Sequence, residues 1–205
     1  MNKKQSILKT AARLFAAQGF DGTTTRQIAR EAGVTEPLIY YHFEGKEDLF
    51  TRILEYGISS YLSCIDGLEQ DNLAPFDRLR RLIELQFDVV ADMPDEMYLI
   101  VSVCPVRLSE PGDICDRGLR EYRRRLIQYL SRSIEDGVTS GAFVPMPVVE
   151  TALMLFAFIS GIMRYAAMNP GNKENVCQTA VDFCRRSLVQ RNARQTRRSR
   201  NERTG

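Results

Sequence analysis

The chain has 205 residues, of which 44% are hydrophobic and 26% are charged, and its formal net charge is +2. These proportions are those of an ordinary globular protein, and they exclude fibrous, low-complexity and largely disordered chains. Eight of the 28 basic residues and one of the 26 acidic residues lie in residues 185–205, so a basic tail follows a mildly acidic body.

Apolar residues recur at spacings of three and four along nearly the whole chain, and no run of alternating β-branched residues lies between turn signals. The chain is therefore predicted to be all-α, with about nine helices. Glycines, prolines and capping threonines mark the helix ends. The predicted helices cover residues 3–18, 25–32, 36–43, 46–69, 76–92, 95–107, 113–136, 148–168 and 173–190.

The second and third predicted helices have the pattern of a helix-turn-helix. The small Ala29 stands where the two helices approach, and Ile28, Val34 and Ile39 form an apolar wedge between them. Thr35 is expected to cap the third helix. Because any corner between two helices needs a small residue and a glycine, the pattern alone leaves a plain helical corner as the alternative.

The residues around this corner extend the pattern. Gly33-Val34-Thr35 is followed by Leu38-Ile39-Tyr40-Tyr41-His42-Phe43 and Gly45-Lys46-Glu47-Asp48-Leu49-Phe50, and it is preceded by Ala12-x-Leu14-Phe15, Gly19-Phe20 and Thr23-Thr24. Over residues 6–54 the sequence closely resembles the TetR-type repressor family, whereas residues 55–205 resemble it only in helix count and length. The resemblance implies a three-helix DNA-binding head (residues 1–48) and a helical effector-binding and dimerisation body (residues 49–190). The arginine-rich composition of residues 191–205 predicts a basic, disordered tail.

The head carries residue types that suit DNA. Thr24 and Thr25 stand at a helix N-terminus, where the positive dipole end favours a phosphate, and Lys46 stands at another. The resemblance implies phosphate contacts from Tyr40, Tyr41, His42 and Lys46, which would fix register rather than read sequence. As an isolated histidine, His42 could equally be a packing residue. Base reading is expected from Thr35, Glu36, Pro37 and Leu38, helped by Arg26 and Tyr41.

One head covers too little DNA for useful specificity, so we expect a homodimer with two heads about 34–36 Å apart on an inverted-repeat operator. The resemblance implies that the last two helices form a four-helix dimer interface. The candidate interface residues are Leu153, Phe156, Ala157, Gly161, Arg164, Ala180 and Phe183.

The resemblance also implies a small-molecule pocket among the middle helices, where a bound ligand would shift the helix at 46–69. Repression, with release by the effector, is the family's commoner mode. Arg107 and Arg164 suit an anionic ligand, whereas the arginines of 117–125 and the Tyr122–Tyr129 face are interpreted as a solvated helix surface. The candidate pocket residues, each of which could equally be plain core, are Phe87, Met97, Tyr98, Val101, Cys104 and Arg107.

Other classes of function are less consistent with the sequence. A single histidine cannot complete a catalytic triad or a di-iron site, so no catalysis, cofactor or metal is expected. The five cysteines form no CxxC pair, and redox sensing by single cysteines is one alternative function. A protein that interacts with its partners through the basic tail is another.

The sequence predicts a cytoplasmic protein that does not cross a membrane. Lys9 and Arg13 interrupt the first apolar stretch too early for a signal-peptide core. The most apolar stretch, residues 148–163, falls short of the ~20 residues needed to span a bilayer. It is apolar nearly all round, which predicts a helix covered by protein on both faces.

Overall fold

The computed structural model describes residues 2–70, 72–103, 114–169, 171 and 173–190. Within these residues the chain is all-α, which confirms the predicted fold class. A π-helical turn, Leu99–Val103, continues the sixth helix. The described residues form nine α-helices: α1 (Lys3–Gln18), α2 (Thr25–Ala32), α3 (Glu36–His42), α4 (Lys46–Gln70), α5 (Pro75–Asp92), α6 (Pro94–Tyr98), α7 (Ile114–Thr139), α8 (Val148–Met168) and α9 (Lys173–Leu188).

The head consists of α1, α2, α3 and the first turns of α4. Gly33 ends α2 with a φ of +65°, a left-handed conformation that glycine adopts without strain, and the chain then turns sharply into α3. The rings of Phe15, Phe20 and Phe50 meet with their centroids 5.3–5.7 Å apart. This aromatic cluster joins α1 and the turn after it to the start of α4.

The body is built around α7 and α8, which pack extensively on each other, while α4 and α5 cover their sides. Leu126, Leu130 and Ile134 of α7 are fully buried in this core. Since α4 begins in the head and continues into the body, the predicted domain boundary at residue 48 falls inside a helix, and the division stays a prediction. The second half of the predicted helix 95–107 becomes the π-helical turn, and its end lies outside the described residues.

Helix α8 is longer than the apolar stretch at residues 148–163. In the described part of the chain it has the length and mean hydropathy of a membrane span, although a core or interface helix has the same properties. Within one protomer it is not covered on both faces, because Val149, Met154 and Met168 are exposed. The prediction of a helix covered on both faces is therefore wrong for the isolated chain.

Candidate DNA-binding and effector sites

Hydrogen bonds hold the start of α2 against the outer side of α3. The Thr25 hydroxyl donates to Oε1 of Glu36 at 2.8 Å and lies 3.3 Å from the Tyr40 hydroxyl. Thr24 caps α2, with its side chain accepting from the Gln27 backbone N–H at 3.2 Å. These contacts bring predicted phosphate-contacting residues and a predicted base-reading residue onto one surface of the head.

Helix α3 has an inner and an outer side. Ile39 is completely buried, whereas Tyr41 is 80% exposed and Tyr40 is 55% exposed. Of the other predicted DNA-contacting residues in the head, Thr24, Arg26, Thr35 and Pro37 are exposed, and Thr25, Glu36, Leu38, His42 and Lys46 are half-buried. The outer side of α3 is therefore free to approach DNA.

Thr35 and His42 stand at the two ends of α3. Thr35 stands at the N-cap of α3 but makes no side-chain capping hydrogen bond, so the expected cap is only positional. The His42 ring meets Tyr41 edge-on at 4.9 Å and lies 6.2 Å from the Phe43 ring. His42 is thus half-buried, with its ring packed edge-on against Tyr41, and its contact with a phosphate stays a prediction.

Lys46 is held in place by the turn between α1 and α2. Its ammonium donates to the Phe20 carbonyl at 3.0 Å and lies 4.2 Å from the centroid of the Phe20 ring. An ammonium has three N–H donors, so two remain for other acceptors. The contact fixes the charge at the start of α4 before any DNA is present.

A cavity of about 370 Å³ lies between α4, α6, α7 and α8. Its walls are mostly apolar, and the π-helical turn contributes Ile100 and Val101 to them. A π-helical turn within a helix often occurs at a functional site. The lining residues are Ile58, Tyr61, Met97, Ile100, Val101, Leu119, Tyr122, Arg123, Phe156, Ser160, Met163 and Arg164.

The predicted pocket residues coincide with this cavity only in part. Met97 and Val101 line it, whereas Phe87 and Tyr98 do not. Phe87 is buried in the core instead. Cys104 and Arg107 lie outside the described residues.

The polar groups of the cavity are two tyrosines, a serine and two arginines. The Tyr122 hydroxyl pairs with Oγ of Ser160 at 3.0 Å, and the Tyr61 hydroxyl donates to Oε1 of Gln86 at 3.0 Å. Burial raises the pKa of both tyrosines, so their hydroxyls stay neutral. Among the described lining residues, the charged groups are therefore the guanidinium groups of Arg123 and Arg164.

The interpretation of α7 as a solvated surface is wrong for its tyrosines. Tyr129 is 4% exposed, and Tyr122 lines the cavity. One face of α7 has the apolar spacing of a buried helical face, with Leu119, Tyr122, Leu126 and Tyr129 three or four residues apart. This spacing is the sequence signal that could have identified the tyrosines as buried.

The acidic residue of that segment is paired with arginines. Glu121 accepts hydrogen bonds from Arg124 and Arg125, which hold its pKa at about 2. Arg124 is exposed, as the interpretation of a solvated surface expects, whereas Arg125 is half-buried and also pairs with Asp66 of α4.

The residues predicted for the dimer interface separate into three groups. Leu153, Ala157, Gly161 and Phe183 are exposed and available to a partner. Ala180 is buried within the protomer, on the helix that packs against α5, so its assignment to an interface is wrong. Phe156 and Arg164 line the cavity instead.

Two of the described cysteines, Cys177 and Cys184, are poor redox sensors. Burial raises the pKa of Cys184 to about 11 and also raises that of Cys177, which lies near acidic groups of α5. Since the thiolate is the reactive form, both thiols are less reactive than a free cysteine. In the described part of the chain no three His, Cys, Asp or Glu residues form a group able to hold a metal ion.

Comparison with known proteins places the chain in a family. Residues 7–53 match the model of bacterial regulatory proteins of the tetR family. The chain is 42% identical over 175 residues to the HTH-type transcriptional regulator AcrR of Shigella flexneri, which covers 78% of this chain and 76% of AcrR. A match to a Bacillus subtilis transcriptional regulator covers 35% of that protein's length.

Solved structures share the whole fold. The ketosteroid transcriptional regulator KstR2 of Mycobacterium tuberculosis superposes with a TM-score of 0.77 at 18% identity, covering 93% of this chain and 96% of KstR2. AibR, solved in complex with isovaleryl coenzyme A and operator DNA, gives a TM-score of 0.69 at 21% identity, covering 89% of this chain and 97% of AibR. At these identities the likeness concerns the fold alone.

The helix-turn-helix head and the helical body define a DNA-binding transcriptional regulator, and a regulator of this kind is not an enzyme. The chain belongs to the TetR family.

Proposed function

We propose that this chain is a homodimeric repressor that binds an inverted-repeat operator and leaves it when a small molecule fills the cavity in the body. The observation that carries the proposal is that one continuous helix, α4, belongs to both sites. It places Lys46 and Phe50 in the head, and Ile58 and Tyr61 in the cavity wall. Movement of α4 would therefore reach the head directly.

On the DNA side, the outer face of α3 enters the major groove and the residues around it hold the phosphates. Tyr40, Tyr41 and Lys46 supply phosphate contacts, and the first turn of α3 faces the base edges. Glu36 is held by Thr25 at one carboxylate oxygen, which leaves the other oxygen to accept from a cytosine amine. Because Pro37 and Leu38 offer only apolar surface, part of the specificity would come from thymine methyl groups and from DNA shape.

On the body side, tight packing makes α4 sensitive to what occupies the cavity. A Cβ at Gly57 of α4 would lie 2.6 Å from Cδ1 of Ile100, and a Cβ at Gly118 of α7 would lie 2.7 Å from Cδ1 of Ile58. Backbone and side chains thus already touch on both sides of the helix, so a ligand that spreads the cavity must displace α4. The crystallised complex of AibR with an acyl coenzyme A and operator DNA supports the idea that this fold carries two such sites.

Repression is supported by a relative, and dimerisation is supported by an exposed apolar face. A relative 25% identical over 138 residues, KstR2 of Mycobacterium tuberculosis, is named a transcriptional repressor. The exposed apolar side chains of α8 and α9, with Met154 at 74% and Phe183 at 55% exposure, form a face that a second copy would cover. A DNA-binding regulator of this kind acts in the cytoplasm, where the DNA is.

The decisive experiment is selection of binding sequences from random DNA duplexes with the purified full-length chain. We expect an inverted repeat whose half-sites are centred about one helical turn apart. Binding of the selected duplex by a chain that lacks residues 191–205 is the companion measurement. If no common sequence is recovered, or if removal of residues 191–205 abolishes nearly all affinity for DNA, the result would favour a protein that binds through its basic end.

A further inference from the structure

The chemistry of the cavity restricts the chemical class of the effector more narrowly than the fold does. This inference rests on the proposed function, in which the cavity binds the effector. Most of its lining is hydrocarbon or aromatic: Ile58, Met97, Ile100, Leu119 and Met163 contribute only apolar atoms. A volume of about 370 Å³ suits a compact or chain-like apolar body rather than a polar metabolite. Apolar burial would therefore supply most of the affinity.

The neutral polar groups of the cavity are largely engaged. Tyr122 and Ser160 bond to each other, and Tyr61 donates to Gln86, whose side-chain amide in turn donates to the Leu82 carbonyl at 2.7 Å. A ligand rich in hydroxyls or amides would have to break these pairs, and each broken buried pair leaves a desolvated partner. The network therefore disfavours strongly polar neutral ligands such as sugars.

The two guanidinium groups set the sign of the ligand's charge. Arg164 donates to the Val101 carbonyl at the π-helical turn, and the Arg123 guanidinium lies 6.0 Å from the centroid of the Phe156 ring. Among the described residues, no carboxylate lies within ion-pair distance of either arginine, in contrast to Arg124 and Arg125 on the same helix. Both arginines are exposed on one side, so they can meet the charged end of a ligand without being buried first.

The main rival ligand is a quaternary ammonium. The rings of Tyr61, Tyr122 and Phe156 follow one another at 5.2 Å and 5.7 Å, and aromatic rings attract such cations. However, an aromatic cage needs a ring face free of other cations, and Arg123 already stands over Phe156. With two positive charges and no carboxylate among its described lining residues, the cavity repels a cation.

We infer that the effector is an apolar molecule with one anionic end, whose hydrocarbon part fills the cavity and whose anionic group is bound by Arg123 and Arg164. A free carboxylate and the phosphates of an acyl coenzyme A thioester both offer an anionic group that the arginines can bind. The cavity volume admits only the acyl part of a thioester, so its phosphates would lie outside, beside the arginines.

The experiment uses the full chain with a reporter inside the cavity. The sequence contains no tryptophan, so Phe156→Trp introduces the only indole while it keeps an aromatic ring at this position. Decanoate, decanol, decyltrimethylammonium and decanoyl coenzyme A are titrated below their micelle concentrations, and quenching or a shift of the tryptophan emission is followed. Thermal melting of the unmutated chain with the same four compounds checks that the reporter has not altered the site.

We expect saturable binding of decanoate, with decanol and decyltrimethylammonium at least about tenfold weaker, since an anion gains charge-assisted hydrogen bonds that they lack. Arg164→Gln and Arg123→Gln should each weaken decanoate severalfold, whereas Arg132→Gln, an exposed arginine of α7 that does not line the cavity, should not. Binding of decanoyl coenzyme A instead of decanoate, with the same arginine dependence, supports the inference and assigns the anionic group to the phosphates.

Three results would overturn the inference: equal binding of decanol and decanoate, tighter binding of the ammonium compound, or no saturable emission change with any probe. Binding of the selected operator by the ligand-free chain is measured in parallel. If the chain binds the operator but binds no anion, the proposed ligand class is refuted, whereas the proposed function as a DNA-binding regulator is not. If an anion binds but the operator complex is unchanged, release of DNA by the effector is refuted, whereas the proposed ligand class is supported.

Discussion

Replacement of Lys46 by methionine separates a structural role of this lysine from a DNA-binding role. Methionine keeps most of the apolar stem but removes the charge, the hydrogen bond to the Phe20 carbonyl and the contact with the Phe20 ring. Since Lys46 is only half-buried, the bond and the ring contact together contribute about 1–2 kcal/mol to the stability of the head. We therefore expect a modest fall in melting temperature whether or not the residue touches DNA.

The effect on DNA has a different signature. Each phosphate neutralised by a cation contributes a slope of about −0.9 to the dependence of log affinity on log salt concentration. The proposed dimer has two copies of Lys46, so their loss should reduce the magnitude of this slope by about 1.8. Between about 50 and 200 mM salt, the variant should then lose about tenfold less affinity than the parent chain. The loss should be similar for all DNA sequences, because phosphates carry no sequence information.

The assay is fluorescence anisotropy with the selected operator and an unrelated duplex at several salt concentrations. Lys9→Met is the matched control, because Lys9 is exposed on α1 and its charge acts on Glu96 of α6, at the side of the head that meets the body. A lower melting temperature with an unchanged salt slope would show that Lys46 only supports the turn after α1. A slope change equal to that of the control would refute the phosphate contact as well.

Three further changes test the fold and the assembly. Glu121→Gln should lower the melting temperature at pH 7. Because the pKa of Glu121 in the folded chain is depressed to about 2, the difference in melting temperature from the parent chain should shrink as the pH falls from about 5 to about 3. A difference that stays constant over this range would contradict the ion pairing. Gly137→Ala should destabilise the chain by about 1–3 kcal/mol in urea unfolding, because a Cβ there would overlap the buried Phe143 ring. Gly67→Ala, with open space around it, is the control, and equal effects would place Phe143 elsewhere. Phe183→Asp should weaken dimerisation at least about thirtyfold in sedimentation measurements if this exposed ring is central to the interface, and an unaltered dimer would locate the interface elsewhere.

The head is the part of the molecule that the sequence predicted best. Thr24 caps α2 and Gly33 ends it, and Ile28 and Ile39 are buried between the two helices, as the pattern indicates. Such signals act over a few residues, through a capping hydroxyl or a glycine that adopts a left-handed turn. They can be read without knowledge of what lies opposite in space.

The cavity could be predicted only in part. Met97 and Val101 stand among its predicted residues, but Tyr122 and Arg123 were interpreted as surface and Phe156 as interface. A residue that lines a cavity has the same residue type and helical spacing as one that packs in the core. Whether a neighbour fills the space in front of it depends on elements far away in the chain.

The sequence by itself determined that the chain is all-helical, where most helices begin and end, and which short helices form the DNA-binding corner, because capping, helix breaking and apolar periodicity are local properties. Only the tertiary structure decided that Lys46 is held by the Phe20 carbonyl, that Ala180 is buried within the protomer, and that Arg123 and Arg164 meet at one cavity. These residues come from segments up to tens of residues apart, and their distances follow from how α4, α7 and α8 pack rather than from any one of those helices.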